Sequence, residues 1–144
     1  MHLKRLWLRR ADALPSQMPD PAMRDFMSDE PVGLPALPAA WQCDLATEEL
    51  RWTNGVFDLF GIARGTAVDR RSTLEMYLPE SRALLGRLRS AALETCGSFT
   101  FEAQIRRLDG DLRWMRLSAD VQKRNGKAVV LYGTKQDITA EMLG

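Results

Sequence analysis

"SFTFEAQIRRLDGDLRWMRLSADVQKRNGKAVVLYGTKQDIT", running from Ser98 to Thr139, decides the fold. Phe99, Phe101, Ala103 and Ile105 alternate with Thr100, Glu102, Gln104 and Arg106, the period-2 pattern of a strand with one apolar and one polar face. Two more strands follow, joined by Asp109-Gly110 and by Asn125-Gly126, pairs that favour primed two-residue hairpin turns. The stretch therefore reads as a three-strand antiparallel meander. Continued alternation places Met115, Leu117, Ala119 and Val121 on the same side as Phe101, together with Val129, Leu131, Gly133 and Lys135 of the last strand. Trp114, Val130 and Tyr132 share the opposite face, an apolar patch that calls for a cover.

Upstream, "WQCDL" from Trp41 alternates as a strand, "ATEE" turns, and "LRWT" returns as a second strand. Thr53 or Asn54 is placed to cap the short helix "GVFDLF", which Gly61 stops with a left-handed residue. Ser72 and Glu75 make a capping box for "TLEMYL", and Pro79, Glu80 and Ser81 suit the start of a longer helix ending at Gly97, with Leu84, Leu85, Leu88 and Ala92 as its buried stripe. Two strands, several short helices and three strands describe an α+β domain: a five-stranded antiparallel sheet with helices over one face.

The 144 residues, 45% hydrophobic and 27% charged, suit one globular domain. Six of the seven prolines precede residue 39, so residues 15 to 40 read as an extended arm and the folded domain starts near Trp41. Ahead of the arm, Leu3, Leu6, Trp7 and Leu14 fall near one helical face, which predicts a short amphipathic helix. Docking of that helix on this chain or a second copy is the expectation, with disorder or a membrane-surface anchor as the other readings. Segments 1–40, 41–139 and 140–144 are thus an N-terminal helix and arm, the domain, and the start of a C-terminal helix. A net charge of +1 points to no nucleic acid. Cys43 and Cys96 lack paired spacing, which suits a reducing cytoplasm, and no apolar run is long enough to span a membrane.

With these residues in hand, the chain resembles the PAS family, in the subgroup marked by Trp-x-x-Asp-Leu, a strand-end Trp-Ser/Thr, Asp-Gly followed by Trp, and a terminal Asp-Ile-Thr. They stand here as "WQCDL", "RWTNGVFDLFG", "RLDGDLRWMRL" and "GTKQDIT", in order from Trp41 to Thr139. Two departures stand out. The family's His-Pro-Glu-Asp-Arg appears as Leu78, Pro79, Glu80, Ser81 and Arg82, and an apolar residue usual on the last strand is Lys135. The resemblance implies a sensory or docking module and not an enzyme, and the residues agree: the single histidine, His2, lies ahead of the domain, which counts against general-base chemistry of the usual kind, a histidine-rich metal site and an axial haem histidine. Photoactive flavin members carry an Asn-Cys-Arg cysteine ahead of the long helix, whereas residues 62–88 hold no cysteine, which argues against covalent flavin chemistry. No cofactor is therefore expected, and an unidentified small ligand stays open.

Such a ligand would lie between helices and sheet, where Cys43, Phe57, Phe60, Met76, Tyr77, Phe99, Phe101, Met115, Leu131 and Lys135 are the candidate lining; the same residues fill a core equally well. Cys43 reads as a small buried hydrophobe in preference to a redox switch. For Lys135, one reading has it snorkel to the rim or pair with Asp137 or Glu141, and the other has it turn inward to meet an anionic ligand. Leu3, Leu6, Trp7, Trp114, Val130 and Tyr132 are the candidate dimer or partner surface. In the family Asp-Ile-Thr launches a helix toward an output domain, which makes Asp137, Ile138 and Thr139 a candidate signalling junction. Only "AEMLG" follows here, so the expectation is a single-domain protein acting in trans as a homodimer or with a signalling partner such as a histidine kinase. The alternative is a ligand-binding fragment of a longer histidine kinase or diguanylate cyclase; Met1 suits a natural start and Gly144 a truncation.

Overall fold

Strand β1 (Ala39–Asp44) and strand β2 (Leu50–Trp52) form the first hairpin, paired Trp41 to Trp52 and Cys43 to Leu50. The computed structural model describes residues 36–143; the expected N-terminal helix with Leu3, Leu6 and Trp7, and the arm as far as residue 35, lie outside them. Asp44 makes the turn, its Oδ1 accepting from the amides of Ala46 and Thr47, while Glu48 takes the left-handed conformation at φ 65°.

Three helices follow: α1 (Asn54–Phe60), α2 (Arg70–Leu74) and α3 (Pro79–Thr95). Gly61 ends α1 at φ 71°, as expected of a left-handed stop. Thr53 precedes α1 without capping it through its side chain. Its Oγ1 instead accepts from the Ala40 amide and donates to the Ala40 carbonyl, tying the helix entry to β1. The expected Ser72/Glu75 capping box is not how α2 begins. Asp69 stands at the N-cap and accepts from the Ser72 amide, because a carboxylate three residues upstream reaches that amide first. Pro79 opens α3, and the helix ends at Cys96, left-handed at φ 53°, one residue before the expected glycine.

Strands β3 (Phe99–Arg106), β4 (Leu112–Arg124) and β5 (Lys127–Asp137) form the meander, and a short helix α4 (Thr139–Leu143) follows. All five strands join one antiparallel sheet in the order β2-β1-β5-β4-β3. Asn125 and Gly126 both take positive φ, 53° and 79°, as a primed two-residue turn requires. Asp109-Gly110 differs from expectation. The loop is longer, with the Gly110 amide donating to the Arg107 carbonyl, Gly110 alone left-handed at φ 93°, and the Arg107 amide closing on the Asp111 carbonyl.

Alternation fixes the core. Phe101, Ala103, Ile105, Met115, Leu117, Ala119 and Leu131 are buried beneath the helices with Val56, Phe60, Tyr77 and Leu85. Gly133 sits where β4 and β5 approach so closely that a Cβ would run into the backbone carbonyl of Ser118.

Candidate functional site

Lys135 turns inward. It is 5% exposed, and its Nζ stands 5.3 Å from the Trp41 ring centre, 5.4 Å from Trp52, 5.0 Å from Phe60 and 5.8 Å from Tyr77. The rings come from β1, β2, α1 and the segment between α2 and α3, so the cage exists only once the helices close over the sheet. Trp52 stacks on Phe60 at 4.9 Å and meets Phe57 edge-on at 5.1 Å, which fixes the walls.

Removal from water pulls the Lys135 ammonium down to about 7, with no carboxylate among the described residues to offset the lost hydration. Asp137, which the rim reading pairs with it, bonds to Arg113, and Glu141 bonds to Arg116. The Cys43 thiol supplies no counter-charge, since burial pushes it up and keeps it neutral. The ring faces attract a cation, each by about 1 kcal/mol, which offsets part of a burial cost of several kcal/mol. Rings accept no conventional hydrogen bond, however. The buried indole N–H groups of Trp41 and Trp52 likewise have no acceptor among the described residues.

Beside the cage lies a cavity of about 50 Å3, reached by Lys135, Trp41, Cys43 and Tyr77 and walled by leucines. Arg70 of α2 and Arg89 of α3 also line it. Both guanidinium groups approach Glu48, at 3.9 and 3.5 Å, whose side chain is half exposed. Burial, followed by the neighbouring Arg70, lowers Arg89 from its usual range.

Of the residues expected at a ligand pocket, Cys43, Tyr77, Leu131 and Lys135 reach the cavity, and Phe60 completes the cage. Phe57, Phe101 and Met115 are buried in the core away from it, while Met76 and Phe99 are partly buried against that core. Trp41, Trp52, Arg70 and Arg89 were not among the expected lining residues. For Arg89 the signal was there: it lies one turn beyond Leu85 and three residues before Ala92, on the buried stripe of α3.

At the end of β5, Asp137 accepts from Arg113 at 2.8 Å and from the Thr139 amide at 2.9 Å. Thr139 Oγ1 accepts from the Trp114 amide at 2.9 Å, and the Ile138 amide donates to the Trp114 carbonyl at 2.9 Å, with Ile138 buried. The sheet's exit is thereby knotted to β4. On the face opposite the helices Tyr132 is buried, and Trp114 and Val130 are partly buried. Among the described residues no helix is long and apolar enough to cross a membrane, and no cluster of metal-ligating side chains forms.

Comparison with known proteins agrees with this architecture. A family model described as PAS fold matches residues 49–135. No curated protein matches the sequence. Among solved structures, the N-terminal domain of a diguanylate cyclase with PAS/PAC sensor from Marinobacter aquaeolei is similar at a TM-score of 0.67 and 18% identity, over 74% of this chain and 99% of that one. A sensory box histidine kinase/response regulator from Burkholderia thailandensis E264 gives 0.64 and 20%, over 74% and 80%. The PAS domain of a Colwellia psychrerythraea protein gives 0.60 and 22%, over 72% and 87%.

Proposed function

This chain belongs to the PAS-fold family, and on that premise we propose that it is a sensory module in which a small ligand beside Lys135 alters β5 and, through it, the Asp137–Thr139 junction. The observation that carries the proposal is the spacing of Lys135 and Asp137 on one strand. The first sits under the cavity, and the second holds the sheet's exit to β4. A change at the buried ammonium has two residues to travel. The signal then leaves by protein contact, as a homodimer or with a signalling partner such as a histidine kinase, using the partly buried Trp114 and Val130 on the sheet face opposite the helices.

Hydrogen exchange at residues 138–143 tests the coupling. Lys135→Met should change exchange there as well as around the cavity; a change confined to the cavity would defeat the proposal. Light scattering tests the face, since Trp114→Glu should alter the oligomeric mass, and an unchanged mass counts against it. A second reading, that the domain is the sensor segment of a longer histidine kinase or diguanylate cyclase, draws on the proteins that carry similar domains. The size of the native polypeptide on an immunoblot separates the two.

A further inference from the structure

We infer that the cavity at Lys135 takes a short-chain monocarboxylate, its carboxylate held by Lys135, Arg70 and Arg89 and its alkyl tail lying on Leu74, Leu85 and Leu117. This deepens the sensory reading and rests on it. Lys135 is 5% exposed, and its ammonium is surrounded by ring faces with no carboxylate set against it among the described residues. The buried Trp41 indole N–H, on a residue that also lines the cavity, has no acceptor among the described residues. These are buried donors on adjoining side chains, and what such a group of donors lacks is an acceptor.

Charge says which acceptor. Three side chains lining the cavity are basic and none is a carboxylate, while Glu48 beside it is half exposed and shared between the two arginines. Size narrows it further: a water needs roughly 10–15 Å3, so a cavity of about 50 Å3 suits a ligand of only a few non-hydrogen atoms. Acetate and propionate are of that order, whereas flavins, haem and nucleotides are far too large. The leucine walls select within the anions. Phosphate and sulfate need donors on every side, while a fatty monocarboxylate needs them at one end only.

Calorimetric titration of the whole protein with sodium acetate, sodium propionate and propionamide tests this. Propionate should bind, and propionamide, nearly its shape but without charge, should bind roughly 10- to 100-fold more weakly. Lys135→Met should weaken propionate binding by a similar factor while keeping a cooperative melt. At pH 8 wild-type binding should take up close to one proton, read from buffers of different ionisation enthalpy, as Lys135 regains its charge against the anion. Equal binding of propionamide, undiminished binding by Lys135→Met, or binding of neither acetate nor propionate each overturns the inference. Those outcomes leave the sensory reading to be judged separately, because the exchange experiment on Lys135→Met uses no ligand.

Discussion

Lys135 Nζ stands 5.0 Å from the centre of the Phe60 ring, with no carboxylate facing it among the described residues. A strand position that the fold could fill with an apolar residue instead holds a cation in an aromatic box. Met, of similar length and without charge, would suit that box better, and Lys135→Met should raise the stability of the ligand-free protein by about 2–5 kcal/mol at pH 6, measured by urea denaturation.

The same substitution carries a pH signature. In the unfolded chain Lys135 keeps its proton to the ordinary range near 10.5, and in the folded protein only to about 7. Between these values unfolding takes up a proton, so the folded state gains stability as pH rises from 7 toward 10.5 and is insensitive to this group below 7. The other titratable or charged groups facing the cage and cavity are Cys43 on β1, Tyr77 after α2, Arg70 on α2 and Arg89 on α3. Burial pushes the Cys43 thiol and the Tyr77 phenol upward, so both stay neutral at neutral pH. These groups are common to both proteins. The stability gap between Lys135→Met and wild type should therefore be full at pH 6 and shrink across pH 7 to 10; a constant gap would exclude burial of the charge as its origin.

Gly133→Ala should be among the most damaging single-methyl changes in the sheet. The added carbon meets the Ser118 carbonyl, which belongs to the backbone of β4 and has no rotamer to yield. A loss of about 3 kcal/mol or more is expected in urea denaturation.

Thr139→Val keeps the shape of the side chain and removes its hydroxyl, leaving the Trp114 amide without its acceptor. Stability should fall by about 1–2 kcal/mol, and the Trp114 amide should exchange faster, a local readout that separates loss of this bond from general loosening.

Cys43 and Cys96 should differ in reactivity. Cys43 is buried and its thiol held neutral, whereas Cys96 is partly exposed at the end of α3. A thiol reagent at neutral pH should modify Cys96 first, with Cys43 following only on unfolding.

Much of this was legible because it is local. Alternation along Phe99–Ile105 named the buried face, Asn125-Gly126 named its turn, and Pro79 named the start of α3. Errors arose where two local solutions compete at short range: Asp69 and Ser72 can each cap α2, and Asp109-Gly110 suits a two-residue turn as well as the longer loop it forms. The site was less legible because it is not local. Alternation turned Lys135 inward, yet the usual behaviour of a lysine argued for the rim. What decides between them is a box built by Trp41, Trp52, Phe60 and Tyr77, residues far from it in sequence.

The sheet order has a consequence for synthesis. The strand of this sheet made last, β5, lies between β1 and β4, so the hairpin made first and the strands β3 and β4 have no direct pairing until it arrives. Until then β1 and β4 each offer an unpaired margin, open to non-native partners. Closure must wait for a long-range search, which points to slow folding and a nascent chain that benefits from chaperone cover.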